Sequence, residues 1–192
     1  RQDAPHVHAA VLSPDGRYVL TADLGLDAVF VYDRALNERG KARVPDGYGV
    51  RHLLFDRSGR YLYAVNELKA SVSVFSWDGE RLEYLHTVPG RFAADGRNTG
   101  AAIRLSPDGK TLYISNRGGD TIERFSADGA RVVRLGDFPC GGKDPRDFIL
   151  TPDGRRIVVC NQSSDNVAIL YADDGRLLAD LAVPSPLCAL IV

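Results

Sequence analysis

The sequence has little of what many binding and catalytic signatures require. Its three cysteines, Cys140, Cys160 and Cys188, are too few and too far apart among 192 residues for a disulfide framework or a thiolate metal cluster. Free thiols suit a reducing compartment, so the expected location is the cytoplasm. Neither sign of charge is in excess: 24 basic residues stand against 25 acidic ones, a formal net charge of −1. That balance argues against a nucleic-acid or membrane partner. No apolar run approaches the roughly 20 residues of a membrane-spanning helix, and no signal-peptide pattern is visible. A glycine-rich phosphate loop and a nucleophile elbow are also missing, and no cofactor is expected.

What the chain has instead is repetition. Ser106-Pro107-Asp108-Gly109 is a turn signal in which proline presets φ and glycine takes a conformation that other residues avoid. A β-rich run, Thr111 to Ser115, follows it, then a polar turn and a second run toward Phe125. The pattern recurs after Ser13-Pro14-Asp15-Gly16, Asp56-Arg57-Ser58-Gly59 and Thr151-Pro152-Asp153-Gly154. Repeats of about 45 residues made only of strands and turns are the signature of propeller blades. The fold class is therefore all-β, a β-propeller of about four blades.

As a single partial propeller domain over 1–192, the chain divides into repeats near 6–45, 49–88, 98–135 and 144–183. The innermost strands are expected at His8–Leu12, Arg51–Phe55, Ala101–Leu105 and Arg146–Leu150. A polar loop, 89–98, is long enough to be functional or mobile. The last segment, 186–192, has the form of a closing innermost strand without a blade behind it. Four blades and an orphan strand suggest a fragment of a larger ring rather than a complete four-bladed one.

The turn glycines supply a register. Eight residues before them stand His8, Arg51, Ala101 and Arg146, which open the innermost strands. Eight residues after them stand Leu24, Glu67, Arg117 and Gln162, which follow the second strands. If both sets reach one face, His8, Arg51, Glu67, Arg117 and Arg146 converge into a site for an anionic substrate and for proton transfer. Seven residues after the glycines stand Asp23, Asn66, Asn116 and Asn161. Turn formation explains that set better than calcium binding, because only one member is charged. His6 and His8 share one strand face, but no cysteine or carboxylate stands at zinc-ligand spacing beside them, so no metal is expected.

Several ordered motifs carry a family resemblance: Pro5-His6-Val7-His8, Gly49-Val50-Arg51-His52, Val65-Asn66-Glu67-Leu68, Ser115-Asn116-Arg117-Gly118, Asp144-Pro145-Arg146 and Pro184-Ser185-Pro186-Leu187-Cys188. Over essentially the whole chain the sequence resembles the lactonase family of seven-bladed propellers. That family includes cycloisomerase-type 6-phosphogluconolactonases and carboxy-cis,cis-muconate cyclases. The resemblance implies four blades of seven, completed by missing amino-terminal blades or by self-association at open edges. It implies catalytic roles for His8, Arg51, Glu67 and Arg146, and substrate binding by His6, His52, Asn116 and Arg117. The implied activity is hydrolysis of a small anionic sugar lactone such as 6-phosphoglucono-δ-lactone. The alternatives are lactone formation on a muconate-like diacid and a non-catalytic binding propeller. Two positions depart from the family pattern: Val50 stands where proline is usual, and Ala102 where an acidic residue is usual. The second departure favours the binding alternative.

Overall fold

Four similar sheets follow one another along the chain in the computed structural model, which describes residues 2–91 and 98–191. Blade 1 comprises β1 (Val7–Leu12), β2 (Tyr18–Asp23), β3 (Ala28–Asp33) and β4 (Glu38–Arg43). Blade 2 comprises β5 (Val50–Phe55), β6 (Tyr61–Asn66), β7 (Ser71–Trp77) and β8 (Leu82–Pro89). Blade 3 comprises β9 (Thr99–Leu105), β10 (Thr111–Arg117), β11 (Thr121–Asp128) and β12 (Arg131–Pro139). Blade 4 comprises β13 (Pro145–Leu150), β14 (Arg156–Asn161), β15 (Asn166–Tyr171) and β16 (Leu177–Ala182), with one 3-10 turn at Gln162–Ser164. Every sheet is an antiparallel meander in sequence order, and the innermost strands of successive blades pack side by side.

The turn that marks each repeat is held the same way. Ser13 Oγ donates to Asp15 Oδ1 at 2.6 Å, and Gly16 sits at φ 70°. Ser106 with Asp108 and Thr151 with Asp153 repeat that bond. In blade 2 the order is exchanged: Ser58 Oγ donates to Asp56 Oδ2, and Asp56 Oδ1 accepts from Tyr61 N. Either order closes the turn, because it needs one short acceptor for the backbone N–H groups and a glycine at positive φ.

Cores lie between blades, not within them. Along β6 the side chains alternate: Leu62 and Ala64 join Leu20, Val31 and Phe75 in the core between blades 1 and 2, while Tyr63 and Val65 join Ile103, Ile114 and Phe125 between blades 2 and 3. A strand buried on both faces reads as a continuous apolar run, which is what Tyr61–Asn66 shows. A fully buried Phe75 contributes about 1.5–3 kcal/mol by its removal from water. Blade 4 has only one covered face. Ile157, Val159, Ala168 and Leu170 are buried against blade 3, but Val158, Val167 and Ile169 on the far face are partly exposed. Among the described residues no core joins blade 4 to blade 1, so the four blades form an open part of a propeller.

Residues 186–191 are not paired as a strand in this structure. Strand backbone must pair with an adjoining edge, whereas this tail meets blade 4 through Ala189 N, which donates to Asp147 Oδ2 at 3.3 Å. Of the long loop at 89–98, residues 92–97 lie outside the described residues.

Candidate active site

The site begins with a defect in strand pairing. Each innermost strand pairs with its neighbour in register except at one place, and that place is the same in every blade. The shift falls between Val7 and Ala9, between Val50 and His52, and between Pro145 and Asp147. His8, Arg51 and Arg146 are therefore the extra residues of β-bulges, which turn a side chain out of the ladder. In blade 3 the shift lies opposite Ser115, and the residue at the same register is Ala101. Having no long side chain, Ala101 offers its carbonyl instead.

The second strands deliver the other half. Glu67 follows the end of β6, and Arg117 ends β10. A cavity of about 250 Å³ is lined by His6, His8, Leu24, Arg51, Glu67, Arg117 and Arg146. Arg51 is 2% exposed and Glu67 7%. Arg51 Nε donates to Glu67 Oε2 at 2.9 Å, and Arg51 Nη1 donates to the Ala101 carbonyl at 2.6 Å. Arg117 Nη2 stands 3.0 Å from the same Glu67 Oε2. Among the described residues three guanidiniums, those of Arg51, Arg117 and Arg146, line the cavity with one carboxylate.

Protonation follows from this excess. Burial and the Arg117 charge push the Arg51 guanidinium down to about 10, which leaves it cationic at neutral pH. Loss of solvent around His8 and the Arg51 charge hold its imidazole below its ordinary value. Burial and Arg51 push His52 down to about 3. Both rings are thus neutral at pH 7. Arg51 Nη1 lies 3.3 Å from His52 Nε2, and because a guanidinium only donates, that nitrogen is the acceptor. His8 stacks edge-on against His52 with ring centroids 5.5 Å apart.

Two expected binding residues are placed otherwise. His52 does not line the cavity but stands behind it, under Arg51. Asn116 is fully buried within blade 3, donating to Thr121 Oγ1 at 3.4 Å and Glu123 Oε2 at 3.0 Å. Asn66 is buried likewise against Ser71 and Ser73, Asn161 donates to the Cys140 carbonyl, and Asp23 accepts from the backbone of His6, Gly25 and Leu26. Short polar side chains at strand ends bond to their own turns, so these four do not face one another as ligands. Ala102 packs with Tyr113 and Phe148 between blades 3 and 4 and does not line the cavity. Sequence reasoning missed the Ala101 carbonyl and Leu24 as parts of the site; the shared register held the only signal for either.

A larger cleft of about 500 Å³ opens between blades 3 and 4 beside Tyr113, Arg124, Gly154 and Tyr171. Clefts beside Tyr61 and Gly129, and beside Trp77 and Gly59, recur between the other blades. They are products of blade stacking at the turn-glycine end of the strands, away from the ionisable cluster.

The family model described as "Lactonase, 7-bladed beta-propeller" matches residues 1–191. This chain belongs to that lactonase family. Among curated relatives, a protein of Staphylococcus epidermidis described only as uncharacterized is 40% identical over 159 residues, covering 79% of this chain and 46% of its own length. The solved periplasmic gluconolactonase of Pseudomonas aeruginosa shares 34% identity at a TM-score of 0.86, covering 96% of this chain and 56% of that one. A candidate 6-phosphogluconolactonase from Bacteroides fragilis shares 31% at a TM-score of 0.88, covering 98% and 58%. The chain thus spans about half the length of the relatives it matches. Among its described residues, no helix is long and apolar enough to cross a membrane.

Proposed function

We propose that the complete propeller hydrolyses an anionic sugar lactone in the cavity between His8 and Arg146, with 6-phosphoglucono-δ-lactone as the substrate to test first. The observation that carries this reading is the charge imbalance of the cavity: three guanidiniums, one carboxylate and a neutral imidazole at its rim. Arginine pairs with phosphate or carboxylate through parallel N–H bonds, and a buried guanidinium also stabilises an oxyanion as it forms.

In this mechanism Arg146 holds the substrate's anionic group, and Arg51 and Arg117 face the lactone carbonyl. Water attacks that carbonyl while His8 takes its proton. The ring C–O bond then breaks, the ring oxygen recovers the proton from His8, and the product leaves as a hydroxy acid. His8 suits the base role better than Glu67. The Glu67 oxygen that meets two guanidiniums is already engaged as an acceptor, whereas His8 is neutral and lines the cavity. Glu67 instead fixes the direction of Arg51.

The names of solved relatives support a lactone substrate. The test compares 6-phosphoglucono-δ-lactone with unphosphorylated glucono-δ-lactone on the complete propeller. We expect kcat/KM to favour the phosphorylated substrate by about tenfold or more, the scale of one charge-assisted bond pair. Equal rates would remove the anion from the reading, and no acceleration of either would leave a binding propeller. Three free cysteines, two of them buried, fit a cytoplasmic location. Cell fractionation is the check, since the Pseudomonas relative is described as periplasmic.

A further inference from the structure

The two charged second-strand contributions to the cavity, Glu67 and Arg117, are each the residue immediately after a fully buried asparagine. Asn66 Nδ2 donates to Ser71 Oγ at 2.9 Å and to Ser73 Oγ at 2.8 Å. Ser73 Oγ continues to Thr87 Oγ1 at 2.7 Å, and Thr87 to the Tyr84 hydroxyl at 3.0 Å. In blade 3, Asn116 Nδ2 reaches Thr121 Oγ1 and Glu123 Oε2, and Glu123 is held in turn by Arg134. Each amide therefore ties the end of a second strand to the third strand, and the tie continues to the outermost one. The short loops they close, Glu67–Ala70 and Gly118–Asp120, both end on a residue at positive φ, Ala70 at 41° and Asp120 at 51°.

We propose that Asn66 and Asn116 are positioning residues of the candidate site, fixing Glu67 beside Arg51 and Arg117 beside Glu67. Stability alone does not account for them. The Oδ1 of each amide is buried and has no hydrogen-bond partner among the described residues. A half-satisfied buried amide is a burden that an apolar side chain of similar size avoids. What the amide supplies is direction. The Glu67 carboxylate must sit within about 3 Å of two guanidiniums on two different strands. A loop whose first residue is anchored at two points on the neighbouring strand holds that geometry, and a loop packed by apolar contact alone slides.

The kinetic part of this inference rests on the lactone reading, so its test includes a measurement that does not. In the complete propeller, Asn66→Ala and Asn116→Ala are compared with Asn166→Ala. Asn166 is another buried amide, donating to the Gly141 carbonyl and to Asp180 in blade 4, and it does not line the cavity. The readouts are melting temperature, kcat and KM for 6-phosphoglucono-δ-lactone, and the Arg51 Nε–H resonance in nitrogen-15 spectra. We expect all three variants to melt earlier. Only Asn66→Ala and Asn116→Ala should lower kcat/KM of the folded fraction, by about tenfold to a hundredfold, the scale of a 1 Å misplacement. In those two alone the Arg51 Nε–H should shift and exchange faster with water. If they melt earlier but keep the parent's kinetics and Arg51 resonance, the proposal is overturned. If the parent hydrolyses no lactone, the lactone reading fails while the resonance still decides on positioning. Should Asn66→Ala not fold, Ser73→Ala removes one of its two anchors and should shift the same resonance less, in the same direction. An unmoved resonance there counts against the proposal as well.

Discussion

Two buried carboxylates in this molecule look alike as ion pairs and differ in everything around them. Glu67 meets Arg51 and Arg117 at the wall of a cavity. Glu123, fully buried on β11, accepts from Arg134, from Arg91 N at 2.9 Å and from Asn116. Asp137 completes that second cluster by accepting from Arg91 and Arg134, each at 2.6 Å. There two cations face two anions, and none of them lines the cavity. Around Glu67 the cations that line the cavity exceed the anions among the described residues. A buried ion pair is therefore no pointer to a site by itself. Uncompensated charge beside a cavity is the better one, because retaining it costs stability unless a ligand supplies the missing sign.

The comparison breaks if the two clusters respond alike to substitution. The largest expected effect is on the closed cluster. Arg134→Ala leaves the Glu123 charge buried with fewer donors. It should destabilise the propeller by about 3 kcal/mol, the low end for breaking a buried pair, because Arg134 is itself partly solvent-screened. Chemical denaturation measures this, and kcat/KM of the folded fraction should fall less than in Asn116→Ala, because Arg134 reaches the site only through Glu123 and Asn116. Next comes His8→Ala. His8 is a bulge residue lining the cavity, so melting should change less than in Arg134→Ala, while kcat falls about a hundredfold for loss of a general base. Glu67→Gln comes third: with shape kept and charge removed, kcat/KM should fall about tenfold through looser arginines, with the acid limb of the pH profile retained. A hundredfold fall together with loss of that limb would make Glu67 the base instead.

The contrast also explains what sequence could and could not reveal. The turn glycines at 16, 59, 109 and 154 located the blades, and counting from them located the residues that the structure gathers around one cavity. Register carries that far because each blade repeats one backbone path. The same counting says nothing of partners. Fourteen residues after the glycines stand Phe30, Ser73, Glu123 and Ala168, so the closed carboxylate occurs in one blade only, and its arginines come from the outermost strand and the preceding loop. Asn66 and Asn116 read as turn residues, and they do close turns. Their bonds to the third strand need strand pairing to become visible. The bulges at His8, Arg51 and Arg146 were hidden for the same reason, since an extra residue exists only relative to a partner strand.

The smallest effect expected is on stability against pH, and it separates the clusters without any substrate. His52 is held neutral in the folded protein down to about 3, whereas its ordinary value is 6.5. Between those values the unfolded chain binds a proton that the folded protein does not. Stability from this group is therefore fully present above 6.5 and is lost as pH falls toward 3. His8, lowered for similar reasons, adds to the slope in the same direction. From pH 7 to pH 5 the His52 share should come to about 1 kcal/mol after discounting for partial exposure to solvent. His52→Gln keeps an acceptor for Arg51 Nη1 and has nothing to titrate, so it should flatten that part of the slope and leave stability at pH 7 nearly unchanged. Glu123→Gln should lower stability at pH 7 and leave the slope between pH 7 and pH 5 intact, because the imidazoles that generate it sit at the other cluster. If His52→Gln leaves the acid slope as steep as the parent's, the imidazole is not held neutral under Arg51, and the positive excess assigned to the cavity is wrong.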